Sequence, residues 1–483
     1  MYFNSLDFLI FFVIFTILFW SNKSKFYKQF LIISGSYIFY AFWNIYFLSI
    51  IIFSTFFNYY ISLTLTGTKY IKYRTILFII SITVNLGILF VFKYYNFFTA
   101  SLLALLNISG ENYYYSSVNI ILPLGISFYT FQVISYLVDV MNGRSSPCKN
   151  ILPFASYVCF FPQLIAGPIE RAKSLIAQFE IPKKFSYYDA SLGCRTILLG
   201  LFKKVVIADQ CAIHVDRIFS SNVANTSSGI LLIGATLFAI QIYCDFSGYS
   251  DIAVGCAAIL GIRLSKNFNY PYFSVTIKEF WRKWHITLSK WFKDYVYVPL
   301  GGNQKRQAIT ARNIIITFIL SGLWHGANFT FLIWGMIHAI SIIIQMYFIK
   351  RINFICSNKT FFYLSRIILV FSTLYTILIG WIFFRSQTVL ESLSYVYYLH
   401  RNIFTGYPIG RSIKDVINFI SNNLSLSALV IFCSFLSIFL AKYKISILHH
   451  KYPNYISWPV YILMTLLIIG NSKSTNQFIY FIF

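Results

Sequence analysis

The sequence predicts an all-α, polytopic integral membrane protein, and three observations carry that prediction. Hydrophobic residues make up 58% of the 483 and charged residues only 11%, and the mean hydropathy is +0.68. A soluble chain of this length needs far more charge to keep its surface solvated. Many separate apolar runs reach the ~20 residues a helix needs to cross a bilayer core. Runs such as Phe8 to Trp20 and Ile76 to Phe92 are apolar on every side, whereas a strand of a membrane barrel alternates apolar with polar positions. Inside lipid each backbone N–H and C=O must be satisfied internally, so these runs are helices and the barrel is excluded.

The first span runs from about Leu6 to Trp20 and ends at Ser21-Asn22-Lys23, with Lys25 and Lys28 close behind. The N-terminus has no basic n-region and no small-residue cleavage site, and reads as a retained span. Phe30 to Thr66 is too long for one crossing at ~1.5 Å per residue and is expected to fold back near Trp43-Asn44. A basic loop (Lys69, Lys72, Arg74) follows, then apolar sequence to about Leu106, then the polar stretch Asn107 to Ser117 without Lys or Arg. Basic residues collect in cytoplasmic loops, so the loops after the first and third spans lie inside and the N-terminus outside.

Further spans are expected at Ile120–Val140, Ile151–Ala166, Leu192–Ile213, Ile230–Tyr243, Ile314–Trp324, Phe329–Phe348, Phe361–Phe383, Leu424–Leu440 and Ile456–Ile469. That makes roughly eleven or twelve membrane segments, several of them broken or re-entrant. Asn402 to Asn423 reads as a loop with a short helix. No repeat or linker divides the chain, which reads as one membrane domain over 1–483 with its core motifs at about 120–345.

The net charge of +25 follows from this topology and calls for no nucleic-acid partner. The eight cysteines show no C-x-x-C pair and no metal-like grouping with histidine, and most lie in apolar stretches. They suggest neither a disulfide framework nor a metal site.

Tyr272 to Asn303 is the most informative stretch. At 100° per residue Trp281, Trp284, His285, Leu288, Trp291, Phe292 and Tyr295 fall on one face, with Lys278, Glu279, Arg282, Lys283, Lys290, Lys293 and Asp294 on the rest. The pattern predicts one amphipathic helix lying in the membrane interface. Its basic face suits anionic lipid, and equally a phosphate-rich soluble donor. A histidine on an apolar face is more often a packing residue than a functional one, and periodicity leaves His285 open between the two.

A second histidine stands in Ser321-Gly322-Leu323-Trp324-His325-Gly326-Ala327-Asn328. Ionisable residues in membrane segments are costly and mark function by default. Gly322 and Gly326 allow close backbone approach or a local break; a histidine bonded within the bundle is the alternative. Asp245 and Asp251, in otherwise apolar surroundings, could orient a histidine or pair with Lys or Arg in a structural network. His338 shares an apolar run with His325 but is 13 residues away, not a close helical neighbour.

EFWRKWHITLSKWFKDYVYVPLGGN followed by SGLWHGANFTFLIWG resembles the signature of the membrane-bound O-acyltransferases, in particular the bacterial branch that contains the alginate O-acetylase. PLGISFYTFQVISYLVDV (123–140), FFPQLIAGPIER (160–171), QIYCDFSGYSDIAVG (241–255) and the C-terminal FIYFIF fit the same branch. The resemblance implies that His325 is the catalytic residue and His285 a second functional position across a tunnel. Trp281, Arg282, Lys283, Trp284, Trp324 and Asn328 are the candidates for the tunnel and donor side.

A neutral imidazole can take the proton of a hydroxyl nucleophile, and burial favours that form. Trp324, Asn328 or a backbone N–H beside Gly326 could stabilise the oxyanion. The expected donor is acetyl-CoA or another acyl thioester, with no bound cofactor and no metal. The expected acceptor is an extracytoplasmic glycan, reached through an exported partner acyltransferase. The expected location is the bacterial inner membrane. Peptidoglycan O-acylation or D-alanyl transfer by the same fold is the near alternative. A lipid-linked glycan transporter is the distant one, and it would predict inverted repeats that the sequence lacks.

Overall fold

The computed structural model describes residues 1–67, 72–105, 118, 120–165, 167–304, 306–355, 359–401, 409–428, 430, 454–471 and 478. Among these the regular structure is wholly helical. Among the described residues five helices are long and apolar enough to cross a membrane: Arg74–Leu105, Ser228–Ile259, Gln307–His325, Phe329–Ile349 and Leu364–Arg385. Shorter apolar helices cover Leu6–Ser21, Leu48–Thr64, Ile126–Met141 and Ser457–Asn471. The protein is therefore an all-α, multi-pass membrane protein. The chain forms two compact units, Met1–Ile197 with Tyr249–Ser265, and Leu198–Gly248 with Lys266–Phe483.

In the first unit α1 (Leu6–Ser21), α2 (Lys25–Ala41) and α3 (Leu48–Thr64) fall where the apolar runs put them, and the turn between α2 and α3 contains Trp43-Asn44. Phe8, Phe12, Phe15 and Phe19 form the buried stripe of α1, while Leu9, Ile10, Val13, Ile14 and Ile17 stay exposed. A helix apolar all round divides in this way when one stripe meets protein and the rest meets lipid. α4 (Arg74–Leu105) is one long helix with a π turn at Phe90–Tyr94, and α5 (Ile126–Met141) covers most of the span expected over Ile120–Val140.

The span expected over 151–166 is broken. α6 (Ile151–Cys159) ends after nine residues, and a single turn, Phe161–Leu164, follows it. Pro162 lies in that turn's first positions, where proline is tolerated because the missing N–H would be unbonded anyway. The Phe161 N–H, lost to the helix ladder, donates to Ser36 Oγ at 3.1 Å. At ~1.5 Å per residue α6 cannot cross a bilayer core. α7 (Ala172–Glu180) completes the run.

α8 (Tyr187–Leu201) continues through a π turn, Phe202–Ala208, into α9 (Asp209–Phe219), and α10 (Ser228–Ile259) carries the QIYCDFSGYSD motif. The expected single amphipathic helix is two. α11 (Ile277–Lys283) and α12 (Ile286–Phe292) are separated at Trp284-His285, and a π turn, Lys293–Tyr297, follows. The division of faces nevertheless holds. Trp284, His285, Leu288, Trp291 and Phe292 are buried, whereas Lys278, Arg282, Lys290 and Lys293 are exposed.

α13 (Gln307–His325) and α14 (Phe329–Ile355) form a tight hairpin, and α15 (Lys359–Arg385) and α16 (Val389–Leu399) pack beyond it. α17 (Ile409–Asn422) is the short helix expected in the polar stretch, and α18 (Asn454–Asn471) contains the last expected span. Lys69, Asn107 to Ser117, Lys305, 429 and 431–440 of the expected span Leu424–Leu440, and all of FIYFIF but Phe478 lie outside the described residues.

Small residues let membrane helices approach closely. A Cβ on Gly322 would run into the Phe331 carbonyl, one on Gly335 into the Phe318 carbonyl, and one on Gly326 into the Phe331 ring. Gly322→Val should therefore cost about 1–3 kcal/mol, as overpacking does, and lower the unfolding temperature in detergent. Gly410→Ala, with nothing within 4 Å of the new Cβ, should leave that temperature unchanged.

Candidate active site

The break between α11 and α12 is made by His285 itself. Its backbone is left-handed, with φ 42° and ψ 57°, a conformation costing a non-glycine residue of order 1–2 kcal/mol. Asn267 holds it there. Its carboxamide Oδ1 lies 3.1 Å from His285 Nδ1 and accepts from the Thr287 N–H at 3.3 Å and the Thr287 hydroxyl at 3.0 Å. The Ile286 N–H donates to the Asn267 carbonyl, and the Asn269 N–H to that of Lys283.

These bonds fix the tautomer. A backbone N–H can only donate, so the Asn267 atom facing Thr287 is oxygen, and His285 Nδ1 carries the proton in its bond to that oxygen. The lone pair is left on Nε2. Burial pushes the His285 imidazole down to about 3, so it is neutral at physiological pH.

Aromatic rings enclose this imidazole. Phe246 of α10 meets it edge-on at 4.7 Å between centroids, and Trp324 lies 6.1 Å away. The neighbouring Trp284 is fully buried, stacks on Phe280 at 5.5 Å and packs against Trp381 at 5.0 Å. The Trp381 indole N–H donates to the Tyr272 hydroxyl, which in turn donates to the Ala239 carbonyl.

His325 is the last residue of α13 and is 4% exposed. Trp324 at 5.0 Å, Trp334 at 4.9 Å and Phe384 at 5.3 Å surround its ring, all steeply inclined to it. Trp324 thus touches both motif histidines and joins them into one site. The glycine-dependent closeness of α13 and α14 is what brings Trp334 onto His325.

His338 belongs to the same cluster, which sequence spacing did not reveal. It lies one turn beyond Trp334 on α14, and Trp334 packs against both imidazoles, at 5.0 Å from His338. Trp281 meets His338 edge-on at 5.0 Å and Trp334 at 5.4 Å. A Cβ on Gly380 would stand 2.7 Å from His338 Nε2, so α15 presses its backbone onto this ring. Among the described residues neither ring nitrogen of His338 and no partner for Trp281 Nε1 completes a hydrogen bond.

The other candidates divide by role. Asp245 joins a buried ion network: Lys204 Nζ lies 2.9 Å from Asp245 Oδ1 and 2.9 Å from Asp209 Oδ1. This is the structural alternative offered for Asp245, and breaking such a network leaves a buried charge uncompensated, at about 3–5 kcal/mol. Its signal was Lys204 standing inside the apolar run 192–213. Asp245 precedes Phe246, so the network anchors the turn that packs on His285. Asp251 is half-buried further along α10, in the other compact unit.

Arg282 is exposed, and Lys283 pairs with Glu279 at 2.7 Å along α11. Asn328, a candidate oxyanion donor, is otherwise engaged. Its Nδ2 donates to the Gln387 carbonyl and its Oδ1 accepts from the Thr330 N–H, capping α14. The Gly326 N–H is likewise bonded, to the Gly322 carbonyl. Among the described residues no three His, Cys, Asp or Glu side chains are grouped to hold a metal ion.

Residues 144–386 match the model of the membrane-bound O-acyltransferase family. The chain is 39% identical over 365 residues to the probable alginate O-acetylase AlgI of Pseudomonas aeruginosa, covering 75% of this chain and 68% of that protein. It is 35% identical over 398 residues to the peptidoglycan O-acetyltransferase of Helicobacter pylori, 77% of this chain and 73% of that protein. With the teichoic acid D-alanyltransferase of Bacillus subtilis it shares 30% over 244 residues, 48% of this chain and 61% of that protein.

The buried, neutral His285 ties folding to pH. Between 6.5 and about 3 the unfolded chain binds a proton here that the folded chain does not, so stability falls with acid below 6.5 and is unaffected above it. His285→Gln removes this component. Its unfolding temperature should fall less than that of the parent when the pH is lowered from neutral to mildly acid, measured in one detergent.

Proposed function

Because the chain belongs to the membrane-bound O-acyltransferase family, in its alginate O-acetylase-like branch, we propose that it moves an acetyl group from cytoplasmic acetyl-CoA toward hydroxyls of an extracytoplasmic polysaccharide. The observation that carries this reading is the pair of motif histidines, both buried and both touching Trp324.

His325 is the general base. Its neutral imidazole takes the proton of the acceptor hydroxyl as the oxygen attacks the thioester carbonyl. Collapse of the tetrahedral intermediate breaks the C–S bond, and the proton passes to the departing thiolate, giving ester and free CoA thiol. General-base help of this kind is typically worth ~10²–10⁴-fold. The Trp324 indole N–H stabilises the oxyanion, in a surrounding of aromatic rings where a fixed dipole counts for more than in water. His285, held by Asn267, stands on the donor side with the basic face of α11 and α12 toward the phosphates of CoA.

The basic loops set this topology with the N-terminus outside, in the inner membrane of a bacterium. An exported acyltransferase receives the group and completes transfer onto the glycan. The acetyl group is favoured over D-alanyl because the two O-acetyl-transferring relatives named are the more similar and match over more of the chain.

The test is consumption of radiolabelled acetyl-CoA by the purified protein in nanodiscs, with an extracted envelope glycan fraction and the exported partner present. His325→Ala should lose about 10²–10⁴-fold in rate while retaining its unfolding temperature. Turnover retained in that variant would remove His325 from the role. Labelling from a D-alanyl donor, and none from acetyl-CoA, would move the chemistry to D-alanyl transfer.

A further inference from the structure

The first unit carries a cluster of cations that the acyl-transfer reading does not use. Lys25 and Lys28 stand in the first turn of α2, Lys183 and Lys184 in the segment after α7, and Arg263 just beyond α10. Among the described residues none of the five has a carboxylate oxygen within 4.0 Å. Two lysines at a helix N-terminus oppose the macrodipole, which favours anions there.

The cations are held together by a built framework. Lys28 is 5% exposed. Its ammonium donates to the Lys183 carbonyl at 3.0 Å and lies 4.0 Å over the Trp20 ring. The Trp20 indole N–H is bonded to the Ile259 carbonyl at the end of α10. Gln29 donates to the Phe179 carbonyl, and the Gln178 carboxamide makes two bonds to the Arg263 backbone. Gly261, at φ 70°, turns the chain so that Arg263 comes back toward Lys183. Burial, then the charges of Arg263 and Lys28, pull the Lys183 ammonium below its ordinary value.

Mutually repelling cations fixed around a shallow cleft lined by Lys25, Lys28 and Lys183 lack an anion. The surroundings say which kind. Phe26, Phe30, Ile181 and Phe185 are all more than half exposed, and Phe185 packs edge-on against Trp20 at 5.4 Å. Apolar side chains bordering a basic cleft present an acyl-chain surface beside a headgroup site. The loop that carries Lys25 and Lys28 is one the basic bias puts on the cytoplasmic face, the leaflet rich in anionic lipid, and Lys28 is bonded to the Lys183 carbonyl.

We propose that this cleft binds the phosphate headgroup of an anionic phospholipid, with Lys28 and Lys183 as its principal contacts and Lys25 and Arg263 beside them. The bound lipid supplies the charge the cluster lacks and clamps the end of α1 and the start of α2 to the segment after α7.

The test uses the full chain in nanodiscs of phosphatidylcholine alone and of equimolar phosphatidylcholine and phosphatidylglycerol, with lipid retention read by native mass spectrometry and unfolding temperature by intrinsic fluorescence. The parent should retain phosphatidylglycerol selectively and unfold at a higher temperature in the mixed discs. Each charge near the surface contributes about fivefold in affinity, so Lys28→Gln with Lys183→Gln should weaken retention about twenty-five-fold and abolish the stabilisation. Should that variant fail to fold, Lys183→Gln with Arg263→Gln, which spares the buried lysine, is read in the same way. Retention unchanged in a folded variant would overturn the proposal. So would CoA or inorganic phosphate stabilising the parent in phosphatidylcholine discs and displacing phosphatidylglycerol, which would give the cleft to a soluble phosphate.

Discussion

An imidazole buried among indole and phenyl rings is the constraint on which the second compact unit depends. Such a ring is stable only as the neutral form, and only if the walls that dehydrate it are themselves fixed. The structure meets both demands with few polar contacts. His285 is held through Asn267 at the expense of a left-handed backbone. His325 stands at the end of a helix whose glycines bring the next helix against it. The Lys204, Asp209 and Asp245 network fixes the turn carrying Phe246.

From that constraint the chemistry follows by economy. In the proposed reaction the base needs a lone pair at neutral pH, and burial of the ring favours the neutral form that has one. In the proposed reaction the developing oxyanion needs a donor already in place, the part proposed for the Trp324 indole, whose ring also belongs to the wall. Rigid aromatic walls lose little entropy on ordering, which suits the proposed reaction, in which a thioester must be kept from bulk water.

Much of this was legible in the sequence because lipid leaves few choices. Apolar runs had to be helices, and α1, α2, α3 and the α13–α14 pair lie where the runs put them. The two histidine motifs lead to two buried rings that both pack against Trp324. What the sequence hid was conformational. A 100° pattern cannot announce a left-handed residue in the middle of its own apolar face, so α11 and α12 read as one helix. The break before Pro162 was visible as a proline but outweighed by the apolar run around it. His338 stayed hidden because 13 residues in sequence say nothing of neighbours across a hairpin, and Trp334, touching both rings, belongs to the returning helix. Asn328 was singled out by proximity to the histidine motif, and the structure gives it the further task of capping the returning helix.

The central claim is that His285 and His325 form one site through Trp324. A double-mutant cycle in initial rate of CoA thiol release, with parent, His285→Gln, His325→Gln and the double variant, tests it most directly. Residues acting as a unit are non-additive. The double variant should be no slower than the slower of the two singles. Losses that multiply would mean that the two histidines act independently, and would contradict the account.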